Sequence, residues 1–140
     1  MDISTIISDE IKNNFNSTAI VIPPPFNDNM ELEEKFSLVY RELQRKTRIK
    51  NRILALMNAF YLDKLLDEIP ERSILSRYQN RVTSHFLRLS RNTFEIFKDF
   101  PEQIGETTSI TVQMLRRLKR NEINRIISNN ENIIINSIFQ

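Results

Sequence analysis

Arginine is the residue type whose spacing in this chain could do chemistry. Arg41, Arg45, Arg48 and Arg52 are separated by four, three and four positions, the interval that stacks side chains on one face of a helix. Arg77, Arg81 and Arg88 fit the same template further along, with Ser84 in the gap, and Arg116, Arg117 and Arg120 make a third group. A guanidinium is planar, permanently charged and presents a fork of donors, so rows of them suit phosphates and carboxylates. The chemistry on offer is anion binding.

Charge along the chain is sorted in the same way. The total is only +2, but residues 35–52 carry +6 with Glu42 as their single acid, and residues 72–94 carry +5 with no acid at all. Residues 112–127 carry +4 against Glu122 alone, so the remaining 83 residues hold −13. Two readings of the arginine faces stay open at this level. Either each stripe pairs with acids on a neighbouring helix, or it stays outward for an anionic partner, an acidic protein or a nucleic-acid phosphate. In an antiparallel arrangement, Arg41 to Arg52 would meet residues 85–97, which offer mainly Glu95. Neutralisation from within is then incomplete.

Signatures of catalysis are missing. His85 is the only histidine and sits beside an apolar stripe, with no carboxylate three or four positions away as a helical di-metal site requires. It reads as a boundary histidine with one hydrogen bond. Gly105 is the only glycine, which cannot build a phosphate-gripping loop. The absence of cysteine excludes thiolate nucleophiles, thiolate zinc sites and disulfides. Asp63, Asp67 and Glu71 recur every fourth position, but acidic helix ends are common without a metal. No catalytic residue, cofactor or metal is assigned, and an enzyme is not expected.

The elements that must carry these arginines are helices. One glycine allows few tight turns. Ile3, Ile7, Ile11 and Phe15 mark a short amphipathic helix with Asp2 or Ser4 as its N-cap. Pro23, Pro24 and Pro25 then favour extended backbone, so residues 16–29 read as a linker. Leu32, Phe36, Val39 and Leu43, followed five turns later by Lys50, Leu54, Met57 and Tyr61, predict one long helix over residues 29–68. Its period is that of a straight helix and not a strict heptad coiled coil. Such a rod would be about 58 Å long, and the molecule correspondingly elongated. After Pro70, Leu75, Tyr78, Val82, Phe86 and Leu89 continue one face towards Phe97 and Phe100, predicting an antiparallel partner helix. A loop over 101–109 precedes a third helix carrying Leu115, Leu118, Ile123 and Ile126, whose β-branched start at Ile110–Val112 could instead be extended. The tail 129–140 holds Ile133, Ile134, Ile135, Ile138 and Phe139 and should dock somewhere.

These readings combine into an all-α chain: an elongated helical hairpin or bundle of three to four helices with a proline-rich N-terminal linker. The expected divisions are 1–28 as a short helix plus linker, 29–128 as the bundle, and 129–140 as an apolar tail. Residues 1–28 are expected to be removable without unfolding the rest. The expected function is that of a non-catalytic subunit of an intracellular multiprotein assembly, hetero- or homo-oligomeric. It would dock through apolar stripes and the arginine face, with direct nucleic-acid binding as the alternative. No apolar run approaches the roughly 18 residues a membrane span needs. Asp2, Asp9 and Glu10 stand where a secretory leader would be basic and then apolar, so the expected compartment is nucleus or cytoplasm.

Overall fold

The computed structural model describes residues 2–15, 21–45, 52–107 and 109–138, less the side chain of Ser137. They form eight helices and no strand. The isoleucine stripe makes α1 (Ile3–Asn14), which starts where the Asp2 carboxylate accepts the Ser4 N–H at 3.1 Å.

The single long helix expected over 29–68 does not form. Arg45 turns to extended backbone (φ −61°, ψ 137°) and ends α2 (Leu32–Gln44), and α3 (Arg52–Asp67) begins beyond it. Five cations and no acid lie between positions 45 and 52, with Ile49 as the only apolar residue there, and like charges at helical spacing weaken a helix. Burial supplies the larger reason. Because the chain turns back, Phe36, Val39 and Leu43 of α2 enter the same core as Leu56, Met57 and Phe60 of α3. Lys35 near the start of α2 shares a groove with Tyr61, Lys64 and Glu68 near the end of α3, so the two helices run antiparallel. The hairpin thus lies inside the segment that periodicity reads as one rod.

The next predicted helix is also divided. Val82 is extended (φ −102°, ψ 134°) and separates α4 (Arg72–Arg81) from α5 (Ser84–Phe97). Thr83 restarts the helix by accepting the Phe86 N–H on its hydroxyl at 3.4 Å. Helix α5 lies along α3 in the opposite direction: the rings of Phe60 and Phe94 are 5.3 Å apart, and Arg52 at the start of α3 reaches the carbonyls that follow α5. A short α6 (Gln103–Glu106) follows. Thr111 then caps α7 (Val112–Arg117), so Ile110–Val112 opens a helix and not a strand. Helix α8 (Arg120–Ile138) runs through the segment expected to be a separate tail.

Within residues 1–28, the described residues 2–15 and 21–28 pack with the bundle. Helix α1 lies parallel to α8, with Ser4 bonded to Arg125 and Ser8 to Asn129, both at 3.1 Å. Ile7 and Ile11 are fully buried in the common core, each worth about 1.5–3 kcal/mol relative to exposure. The proline segment is tied down as well, since the Ile22 carbonyl accepts the Tyr61 hydroxyl at 2.6 Å. An amphipathic stripe this apolar has a free-energy incentive to bury itself, and α8 offers the matching face.

The scarcity of glycine has a structural counterpart. Among the described residues no backbone adopts positive φ, so helix ends are not closed by left-handed glycine. Side chains from other elements cap them in its place. Asn92 donates to the Leu115 carbonyl at 2.7 Å, Asn130 to Ile96 at 3.2 Å, and Gln103 to Asn14 at 2.7 Å. Each satisfies a carbonyl in or at the last turn of a helix. All three amides are buried.

Candidate anion-docking surface

The arginine rows end up in three different situations. Arg52 is a structural residue. Its guanidinium turns inward and donates to the Ile110 carbonyl at 2.7 Å and to the Thr107 carbonyl. Burial lowers its pKa from the ordinary value, with nearby Glu10 opposing that shift. Arg45 is exposed at the end of α2 and pairs with Glu42 at 3.4 Å. Arg41 is exposed on α2, and Arg48 lies outside the described residues. Arg41, Arg45 and Arg52 therefore do not share one helix face: α2 carries Arg41 and ends before the extended Arg45, and Arg52 belongs to another helix and points into the bundle.

Arg88, Arg116 and Arg120 knit α5 to the segments after it. Arg88 donates to the Leu118 carbonyl at 3.0 Å, where α7 gives way to α8. Arg120 pairs with Glu95 at 2.6 Å, and the bond to that carboxylate raises the arginine's pKa further. Arg116 lies against the exposed ring of His85, with Nη1 at 2.9 Å from Nδ1 and 3.2 Å from Nε2. Partial desolvation first, and Arg116 second, lower the pKa of His85, and the guanidinium, which can only donate, gives its hydrogen bond to the ring. Arg117 is exposed and, like Arg41 and Arg77, makes no hydrogen bond or ion pair among the described residues.

The third situation is a built cleft. Helix α4 sets Arg77 and Arg81 one turn apart, facing the first turns of α2. With Glu33, Ile74 and Tyr78 they line a shallow hollow. Arg81 grips the Glu33 carboxylate at 2.7 Å and the Ser37 hydroxyl at 3.3 Å. Its guanidinium lies 5.2 Å from the Phe36 ring centre and 6.0 Å from that of Tyr78, a cation–π seating that holds the fork in place. The Tyr78 hydroxyl donates to the other oxygen of Glu33 at 3.3 Å. Burial and the adjacent Glu33 raise the Tyr78 pKa, which keeps the phenol a donor.

Sequence periodicity finds Arg77 and Arg81 but misses Glu33, Ser37 and Tyr78 as members of the same site. The signal was partly available, because Glu33, Ser37 and Arg41 recur every fourth residue and share a face of α2. That α4 would lie against this face was not.

Asp63, four positions from Asp67 as the spacing has it, is a second group whose burial periodicity does not reveal. It is half-buried between α3 and α5, and desolvation raises its pKa to about 6. Arg91 acts against that rise, while Glu95 and Asp67 add to it. Among the described residues no group of three acids or histidines could hold a metal ion.

Comparison with protein-family models, with curated proteins and with solved structures returned no match to this chain. The chemistry of the surface is what speaks for its function.

Proposed function

We propose that this protein is a non-catalytic helical subunit of an intracellular multiprotein assembly, which it enters through a basic surface on α2, α4 and α7. The observation that carries this reading is the exposure of Arg41, Arg77 and Arg117 without ion-pair partners among the described residues. Isolated exposed charges are ordinary. Here, however, they belong to stretches almost devoid of acid, with further exposed cations alongside, so the local field favours an anionic neighbour. The far end of α8 adds an apolar patch, with Ile135 50% and Ile138 71% exposed. An acidic protein surface fits both features better than a phosphate backbone does, because the backbone offers nothing apolar for the isoleucines.

The test is sedimentation of the tagged protein in extracts of its native cell, compared with the variant Arg41→Gln, Arg77→Gln, Arg117→Gln. Wild type is expected in a species well above its own 16.7 kDa, and the variant at monomer size with an unchanged melting curve. A monomeric wild type, or a variant that stays in the complex, refutes the proposal. Collapse of the complex on nuclease treatment transfers the basic surface to nucleic acid.

A further inference from the structure

We infer that the cleft between α2 and α4 is a receptor for an acidic side chain of a partner protein, and that Glu33 occupies it as an internal stand-in. The inference rests on the reading of the basic surface as a protein-docking face and names the spot and the competitor. One Glu33 oxygen takes the Arg81 guanidinium at 2.7 Å and the other takes the Tyr78 hydroxyl at 3.3 Å. The site therefore already displays the two-point recognition of a carboxylate. The Glu33 side chain is 69% exposed, and Arg81 45%. An exposed pair of this kind contributes little to stability, so its exchange for an external carboxylate costs the fold little.

Four neighbours make the cleft asymmetric in favour of a peptide. Arg77 stands beside it with no anion of its own among the described residues. The charge at the hollow is thus two guanidiniums against one carboxylate, with room for a second. Ile74 forms an apolar wall, and the rings of Phe36 and Tyr78 back the Arg81 guanidinium. Residues 72–94 contain no acid that could fill the vacancy from the same strip of chain. The matching occupant is a segment in which carboxylates flank an apolar side chain. A phosphate backbone would use the cations and leave the Ile74 wall unmatched.

Glu33 then sets the threshold for docking. It is on the first turn of α2, where the helix dipole favours a negative charge, so it leaves Arg81 without losing all electrostatic support. Removing its charge should strengthen binding of an external acid, the opposite of what a merely structural ion pair predicts.

The experiment measures fluorescence anisotropy of a labelled oligoglutamate peptide with a central leucine, titrated with the full chain at low salt. Glu33→Gln should bind roughly two- to fivefold more tightly than wild type, the worth of one exposed ion pair, and Arg77→Gln should bind more weakly by a similar factor. Arg81→Lys retains charge but loses the fork and should also weaken binding. Melting curves of all variants confirm folding. Equal or weaker binding by Glu33→Gln overturns the inference. So does loss of binding in Arg41→Gln, Arg117→Gln with Arg77→Gln unaffected, although the basic docking face itself then survives. Failure of every variant to bind the peptide, with a short DNA duplex binding instead, sinks both.

Discussion

At the scale of single residues, one charge is held where the fold would prefer none. Asp63 is pressed between α3 and α5, and its pKa rises to about 6 through desolvation, helped by Glu95 and Asp67 and opposed by Arg91. An acid with a raised folded pKa binds a proton more tightly in the native than in the unfolded chain. Stability is therefore greatest below the unfolded pKa near 4 and falls as pH rises through 6. Asp63→Asn removes the ionisation. It is expected to stabilise the protein by about 1–2 kcal/mol at pH 7.5, the worth of the rise to about 6 discounted for residual solvent contact, and by little at pH 4. Urea unfolding at the two pH values checks this, and an equal effect at both would show that Asp63 is not the titrating group. Asp2 runs the other way. The Ser4 amide, ahead of the other contacts, lowers its pKa, so any contribution it makes is lost in acid and not in base.

Among elements, α1 shows how a stripe can be legible and its destination not. The isoleucine spacing reads as a helix, and Asp2 caps it. Nothing local says that α8 is the face it meets, since the two are separated by most of the chain. Once docked, Ile7 and Ile11 are fully buried and the Asn14 carbonyl accepts the buried Gln103 amide. Ile11→Ala is accordingly expected to cost about 2–5 kcal/mol, the range for truncating a buried isoleucine. Deleting residues 1–28 should remove still more. The same logic explains the breaks at Arg45 and Val82. At Val82 the apolar stripe continues by count into Phe86 and Leu89, whereas cations interrupt it between 45 and 52; in each case the helix beyond the break joins the core along its own axis. Guanidinium melts of Ile11→Ala and of the deletion decide the matter; an unchanged midpoint in the deletion would return α1 to the status of an appendage.

For the whole molecule, the apolar surface is nearly but not wholly consumed. One core joins residues from α1 through α8, and no described helix is long and apolar enough to cross a membrane. Helix α1 ends at Asn14, while α8 extends to Ile138. Ile135 and Ile138 near the end of α8 stay in solvent, in a stretch from 126 to 138 whose only charge is Glu131. With so little charge to keep copies apart, the isolated chain should self-associate as its concentration rises. Ile135→Glu with Ile138→Glu should suppress that association and leave the melting temperature within the range of surface substitutions. Sedimentation velocity over a concentration series reads the outcome, and a wild-type chain that stays monomeric throughout would refute it.

The helical class, the separation of basic from acidic stretches and most of the core-facing positions follow from the order of residues alone. Phe36, Val39, Leu43, Met57, Tyr78, Val82, Leu89 and Phe97 are buried as their spacing requires. Helical period is a local quantity, and these features follow from it directly. Tertiary structure alone decided where the helices stop, that α1 belongs to the core, and which arginines remain outward. Arg81 and Arg52 have the same side chain and both occupy rows of helical spacing. One reaches a carboxylate at the surface and the other reaches carbonyls inside the bundle. Periodicity fixes the angle of a side chain about its own helix axis, whereas its partner depends on which neighbour packs at that angle, and that neighbour lies tens of residues away.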